Sequence, residues 1–184
     1  MAIEPLRLRL SVGDRTLLAS LEGAHFPALA RDEGGWWLGF ALDTGVPIHG
    51  LGEKFGPLDR RGQLVVSVNH ADPGVGSDRS AKNVPFLWSP RGWGLFVHTR
   101  GRTVHGIGYS QWSHRAHLLR VEDERLDLFF LAAASPAEML ERFTALTGRL
   151  GPQPLWSLGA WIATDDALEA APAWRKADMA ADVI

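Results

Sequence analysis

The chain has 184 residues, 46% of them hydrophobic, which is enough for one packed domain and a shorter additional segment. Its 19 Lys and Arg residues nearly balance 21 Asp and Glu residues, and the formal net charge is −2. This balance, without a cationic run, favours neither nucleic acid nor an anionic membrane as a partner. Cysteine is absent, which excludes disulfides and thiolate metal sites.

Targeting signals are not visible in the sequence. The first residues include an early acid and a proline, and no apolar core of signal-peptide length follows them. The most apolar stretch, residues 128–134, is much shorter than the about 20 residues that a transmembrane helix needs. We therefore expect a cytoplasmic protein without a membrane span.

Short stretches of alternating hydrophobic and polar residues recur in the first two thirds of the chain. Such alternation is typical of half-buried strands. It occurs at residues 6–10, 37–42 and 118–121, and turn sequences containing Gly or Pro occur at 12–14, 32–35 and 89–92. Many short strands with such turns indicate a β-sandwich, whose core most of the eight Trp and eight Phe residues are expected to fill.

A helix is predicted over about residues 135–147. Ser135 can cap its first turn, Pro136 suits the first helical position, and Glu138 completes a capping box. Hydrophobic residues follow at helical spacing, and Gly148 is suited to end the helix.

A domain boundary is predicted at the Gly-Pro-Gln-Pro sequence of residues 151–154, which can continue neither a helix nor a strand ladder. The predicted domains are 1–150 and 151–184. In the second, the apolar run 155–162 predicts a strand, an alanine-rich helix containing Pro172 follows, and 182–184 would begin another strand. This order is typical of the start of a parallel α/β unit.

A series of colinear motifs resembles glycoside hydrolase family 31. The first is Gly-Leu-Gly-Glu-Lys-Phe at residues 50–55, which is similar to a signature of that family. The others follow in the family's order, at residues 82–86, 91–97, 126–129, 135–138, 144–148 and 156–161.

The resemblance implies a mainly β fold, a galactose-mutarotase-like β-sandwich followed by an incomplete start of a (β/α)8 barrel, with residues 156–162 as its first strand. The family's catalytic aspartates lie on later barrel strands, and a retaining mechanism needs two carboxylates about 5 Å apart. We therefore expect no catalytic residue and no cofactor in this chain. The expected function is that of the N-terminal, non-catalytic part of a retaining α-glycosidase, which shapes one wall of a pocket for an α-glycoside.

Two other functions stay open at this point. The aromatic content is compatible with a free-standing carbohydrate-binding or interaction module, and the chain could also be a packing domain without a ligand. An uncovered barrel segment would further allow self-association.

Asp72 is the predicted substrate-binding residue. The family's Trp-Asn-x-Asp, whose aspartate reaches the sugar hydroxyls, corresponds to Val-Asn-His-Ala-Asp at residues 68–72, where the tryptophan is missing and the acid comes one residue late. The alternative is a turn-forming aspartate before Pro73. Asn69, Lys82 and Asn83 are expected to hold this loop to the sandwich.

Two further candidates are interpreted as structural. Glu53 follows two glycines, but no second carboxylate accompanies it. His114 and His117 are the only close histidine pair, and at this spacing a strand directs them to opposite faces, so we expect no metal.

Overall fold

The computed structural model describes residues 6–22, 28–70, 79–179 and 182–183. It divides into two compact units, Met1–Phe143 and Thr144–Ile184. The first unit contains the strands and the second contains mainly helical structure. The mainly β fold class predicted from the sequence is confirmed.

The described strands of the first unit follow the turn chemistry of the sequence. In chain order they are β1 Arg9–Val12, β2 Arg15–Ala19, β3 Leu29–Asp32, β4 Gly35–Ala41, β5 His49–Gly50, β6 Gln63–Ser67, β7 Phe86–Ser89, β8 Trp93–Val97, β9 Arg102–Ile107, β10 Ala116–Glu122 and β11 Leu128–Ala132.

The strands form two antiparallel sheets and a separate hairpin. The larger sheet has the order β3-β4-β10-β9-β6, and the smaller one has the order β11-β8-β7-β5. Strands β1 and β2 form the hairpin. In the larger sheet, β10 pairs with β4 on one side and with β9 on the other, so β10 is its central strand.

One hydrophobic core joins the two sheets. Because side chains alternate between the faces of a strand, each sheet directs one set of apolar residues inward. The rings of Phe40 on β4 and Phe130 on β11 meet edge to face, with centroids 6.0 Å apart. Phe130 is partly buried against this core, whose fully buried members, besides Phe40, include Leu38, Leu87, Leu95, Val97, Ile107, Leu119 and Val121.

Helix α1 spans Pro136–Thr147. Ser135 Oγ accepts a hydrogen bond from the N–H of Glu138 at 3.2 Å, while the Glu138 carboxylate accepts one from the N–H of Ala134 at 2.7 Å. Within the first unit, Phe143 stacks on Phe86 of β7 with ring centroids 4.0 Å apart. Capping and this aromatic contact therefore stabilise the helix together.

The second unit differs from the strand predicted over residues 155–162, and that prediction is wrong. Leu155–Leu158 forms a 3₁₀ turn instead, in which both the N–H and the Oγ of Ser157 donate to the carbonyl of Pro154. A serine hydroxyl bonded to nearby backbone favours a turn over an extended strand. Strand-like pairing begins only at Trp161, which forms a parallel bridge with Val183.

Helix α2, Ala167–Lys176, lies between the two residues of this parallel bridge in the sequence. Asp166 caps it by accepting from the N–H of Glu169 at 3.0 Å, and Pro172 lies within it. No residue of the 3₁₀ turn or of α2 is buried. Among the described residues, no helix is both long enough and apolar enough to span a membrane.

Candidate functional site

The loop after β5 is pressed against the segment that leads into β7. Gly50 and Gly52 have φ values of 113° and 77°, in the region that favours glycine. A Cβ on Gly50 would lie 2.3 Å from the carbonyl oxygen of Phe86, and one on Gly52 would lie 2.4 Å from that of Lys82. Both glycines of the Gly-Leu-Gly sequence are therefore required by close backbone contact.

Leu51, between the two glycines, anchors the loop. Its φ is 67°, which is unusual for a residue with a side chain, and its side chain is fully buried in the sandwich core. Burial of a leucine side chain stabilises by about 1.5–3 kcal/mol, which can offset a backbone strain of about 1–3 kcal/mol.

Lys54 comes two residues after Gly52 and joins three separate segments. Its Nζ donates to the carbonyl of Val66 at 2.6 Å and to Ser80 Oγ at 3.2 Å, and it also donates to Asn83 Oδ1. These acceptors lie 12, 26 and 29 residues along the chain. One ammonium group therefore ties the loop to the end of β6 and to the segment before β7.

Asn83 is the centre of the same network. Its Nδ2 lies 2.8 Å from the carbonyl of Val68, 2.9 Å from Asn69 Oδ1 and 2.8 Å from the carbonyl of Ser80. The N–H of Asn83 also donates to Asn69 Oδ1 at 3.2 Å. We call Lys54, Asn69, Ser80 and Asn83 the polar hub.

The polar hub joins the two ends of segment 71–78. Asn69 and Ser80 form a parallel bridge, and the N–H of His70 donates to the carbonyl of Ser80 at 3.1 Å. Asp72 belongs to that segment and lies outside the described residues. Of the residues predicted to hold this loop, the structure brings Asn69 and Asn83 together.

Lys82 is not part of the polar hub. Its ammonium lies 3.8 Å from the Glu53 carboxylate, with both side chains more than half exposed. Exposed pairs of this kind contribute little to stability. The backbone of Lys82 makes a stronger contact than its side chain, because its carbonyl accepts a hydrogen bond from the N–H of Glu53 at 2.9 Å.

A second set of contacts fixes the remainder of the loop. Arg60 is almost fully buried, and it donates to the carbonyls of Gly50 at 3.1 Å and Pro57 at 2.8 Å. Asp59 accepts from the N–H groups of Ile48 and Arg61, both at 3.0 Å. Burial alone would raise the pKa of Asp59, but these two hydrogen bonds and the electrostatic interactions with His49 and Arg61 together outweigh it, so the pKa is lowered.

His105 on β9 and His117 on β10 form a stacked pair inside the sandwich. His105 Nδ1 and His117 Nε2 are 3.1 Å apart, and the ring centroids are 5.3 Å apart. His105 Nε2 lies 3.1 Å from Thr103 Oγ1. Both side chains are fully buried, and burial lowers the pKa of His117 to about 3.

One unpaired ring nitrogen indicates which nitrogen carries the proton in each histidine of this pair. Within the described part of the chain, His117 Nδ1 has no hydrogen-bond partner. An unpaired buried acceptor is better tolerated than an unpaired buried N–H. We therefore infer that the His117 proton is on Nε2 and is donated to His105 Nδ1, which leaves His105 Nε2–H to donate to Thr103.

The environment also disfavours charge on His105. Burial lowers its pKa most, and the nearby His117 and the Lys54 ammonium lower it further. The lysine of the polar hub is therefore in electrostatic contact with the histidine pair. No group of three or more possible metal ligands occurs among the residues that the structure describes.

The sequence signal for the histidine pair lies in the positions of the two residues on two neighbouring strands, and not in their spacing within one strand. His105 and Ile107 are two residues apart on β9, and His117 and Leu119 are two residues apart on β10. Because Ile107 and Leu119 belong to the core, both histidines also lie on the inward face. His117 pairs with Ile107 across the strands, and this register brings the rings together diagonally.

Comparison with protein families identifies the first unit. Residues 3–104 match the model of the glycosyl hydrolase 31 N-terminal galactose mutarotase-like domain. This range contains the Gly-Leu-Gly loop and the polar hub. The chain belongs to glycosyl hydrolase family 31.

Curated relatives of this family 31 chain include two α-xylosidases. The enzyme from Emericella nidulans is 37% identical over 123 residues, and α-xylosidase XylQ from Lactiplantibacillus pentosus is 38% identical over 117 residues. The alignments cover 67% and 64% of this chain but only 15% of either relative.

A solved structure of the family supports the same assignment. The family 31 dextranase from Flavobacterium johnsoniae, determined in complex with glucose, is similar with a TM-score of 0.76 and 25% identity. The similarity covers 94% of this chain and 22% of the dextranase. The predicted family and the mutarotase-like β-sandwich are therefore confirmed.

Proposed function

We propose that this chain is the N-terminal, non-catalytic part of a retaining α-glycosidase, in which the sandwich forms one wall of the sugar pocket. The observation that carries the proposal is the polar hub. Four side chains from three segments hold the two ends of segment 71–78 together, as is needed if an aspartate of that segment contacts a substrate with defined geometry.

Asp72 is the proposed substrate contact. A carboxylate can accept hydrogen bonds from two neighbouring sugar hydroxyls, and charge-assisted bonds are stronger than neutral ones. Asn69 and Asn83 act on the sugar only indirectly, by fixing the backbone on either side of this segment. The similarity to two α-xylosidases and to a dextranase supports an α-xyloside or a dextran-type α-glucan as the sugar.

The second unit supports an assignment to the start of a catalytic barrel. In a (β/α)8 barrel each strand is followed by a helix and then by a parallel neighbour. Trp161, helix α2 and Val183 have this order, and the bridge between Trp161 and Val183 is parallel. We place the proposed barrel entry at Trp161, after the 3₁₀ turn.

The proposal is tested by titrating glucose, xylose and isomaltose into the chain and following backbone amide shifts by NMR. One wall of a pocket buries little of a ligand, so we expect a Kd of about 1 mM or weaker. Asp72→Asn should abolish the shifts, since one charge-assisted contact of about 1.5–3 kcal/mol is a large part of so weak an interaction.

Asp14→Asn, which changes an exposed turn aspartate of the β1–β2 hairpin, is the matched control and should bind as the wild type does. Micromolar affinity in the wild type would contradict the incomplete-pocket proposal and favour a free-standing carbohydrate-binding module. Shifts that survive Asp72→Asn would assign the substrate contact to another residue.

A further inference from the structure

A groove of about 410 Å³ lies between the β1–β2 hairpin, the turn between β7 and β8, and the first turns of α1. All of its lining residues belong to the first unit. Three arginines reach it from these three elements, and its walls also include short aliphatic side chains. The residues used below are Val12, Arg15, Leu17, Arg91, Glu138 and Arg142.

Each arginine is held by its own element. Arg91 lies in a turn closed by a hydrogen bond from the N–H of Gly92 to the carbonyl of Ser89 at 3.0 Å. A Cβ on Gly92 would lie 2.5 Å from the carbonyl oxygen of Ala133, so this turn is packed tightly against the chain entering α1. Arg15 Nη2 donates to the carbonyl of Arg91 at 2.7 Å, which brings two arginines together.

Arg142 is oriented within the helix. Its Nε and Nη2 lie 3.0 Å and 2.6 Å from Glu138 Oε1, while Glu138 Oε2 accepts from the N–H of Ala134. Both oxygens of this carboxylate are therefore used. The bonds that Glu138 makes are thus to Arg142 on its own helix and to the chain just before that helix, on one side of the groove.

The groove has more positive than negative side chains. Its lining includes Arg15, Arg91, Arg142 and one acid, Glu138. Outside that lining, the Asp43 carboxylate is 3.8 Å from Arg91 Nε, with both side chains more than half exposed. Arg15 forms no ion pair with any carboxylate in the described ranges. Three guanidinium groups and one carboxylate thus line the groove, and most donors of Arg15 remain available.

We propose that this groove binds an oxyanion, the phosphate or carboxylate group of a small molecule of about the size of a sugar. A guanidinium presents several N–H donors in a fixed fork that matches such groups. Arg15 and Arg91 would contact the oxyanion, and Val12 and Leu17 would contact the remainder of the molecule. Arg142 would add to the positive potential.

The proposal is tested by NMR titration at low ionic strength with glucose 6-phosphate, glucuronate and neutral glucose. At least one of the two anions should shift amides of residues 12–17 and 91–92, and glucose should not. Stronger binding of glucose 6-phosphate would assign a phosphate ligand, and stronger binding of glucuronate a carboxylate ligand. Inorganic phosphate should compete with either, and added salt should weaken both.

Arg15→Gln should weaken binding about tenfold or more, while Arg15→Lys, which keeps the charge and loses the fork, should have an intermediate effect. Arg100→Gln, at an exposed arginine outside the groove, is the control. Arg142→Gln gives a second test that leaves the Arg15–Arg91 contact intact. Equal shifts with glucose and the anions, or equal affinity of Arg15→Gln and Arg100→Gln, would overturn the proposal.

Discussion

Acidification from about pH 7 to about pH 5 should destabilise the sandwich through the buried His105–His117 pair. The pKa of each histidine is lower in the folded chain than in the unfolded chain, mainly because burial disfavours the charged ring. Below the unfolded value of about 6.5, the unfolded state therefore binds more protons. The free energy of unfolding should fall as the pH decreases through that value.

The magnitude follows from the pKa of His117, which burial lowers to about 3. At about pH 5 the folded ring stays neutral, whereas the unfolded ring is protonated with a free-energy gain of about 2 kcal/mol. This result hardly depends on the folded pKa, provided that it is well below 5. If His105 behaves in the same way, the pair accounts for a loss of up to about 4 kcal/mol, a large part of a typical domain stability of about 5–15 kcal/mol.

Carboxylates do not explain a loss in this pH window. The pKa of Asp59 is lowered because hydrogen bonds from Ile48 and Arg61, together with the electrostatic interactions of His49 and Arg61, outweigh the effect of burial. The N–H of Ala134 lowers the pKa of Glu138. Both groups are ionised at pH 5 in the folded chain. Their contribution to stability is present above their unfolded pKa values of about 4 and is lost only at lower pH.

The assay is urea denaturation followed by tryptophan fluorescence at both pH values. His117→Gln retains an amide donor near His105 and should reduce the pH-dependent loss by about half, to about 2 kcal/mol. His114→Gln, at an exposed histidine, should leave the loss unchanged. A wild-type loss below about 1 kcal/mol, or the same loss in His117→Gln as in the wild type, would refute this explanation.

Two further predictions concern the chain as a whole. The purified chain should not hydrolyse p-nitrophenyl α-xyloside or α-glucoside, because the resemblance places both catalytic carboxylates outside it; nitrophenol release that copurifies with the chain would contradict this. Limited proteolysis should cut first at 152–154 or 163–173, because the 3₁₀ turn and α2 bury no residue. Equal resistance to cleavage through residue 179 would show instead that this unit is covered, for example by a second copy of the chain.

The fold was predictable where local chemistry and family motifs agree. The capping residues Ser135 and Glu138 contact the backbone at the start of α1, and the Gly-Leu-Gly motif marks a backbone that approaches its neighbour too closely for any side chain. In contrast, the run 155–162 is apolar enough for a strand, but composition alone did not reveal the turn that Ser157 makes with Pro154.

Contacts between distant segments were harder to predict from the sequence. The bond from Arg15 to the carbonyl of Arg91 spans 76 residues, and nothing near either residue indicates the other. The histidine pair depends on the register between β9 and β10, which alternation within one strand cannot supply. The motif at residues 50–55 includes Lys54, but the sequence does not identify the three groups that accept hydrogen bonds from its ammonium.

The last prediction compares two neighbouring residues, Asn83 of the polar hub and the exposed Lys82. Asn83→Ala removes an acceptor of Lys54 and the amide donor to the carbonyls of Val68 and Ser80, so it should lower the free energy of unfolding by about 2–3 kcal/mol. Lys82→Ala changes a side chain that is 81% exposed and should lie within about 0.5 kcal/mol of wild type. Urea denaturation at neutral pH measures both. Equal stabilities of the two variants would mean that water satisfies these groups equally well, and the hub could then not fix segment 71–78.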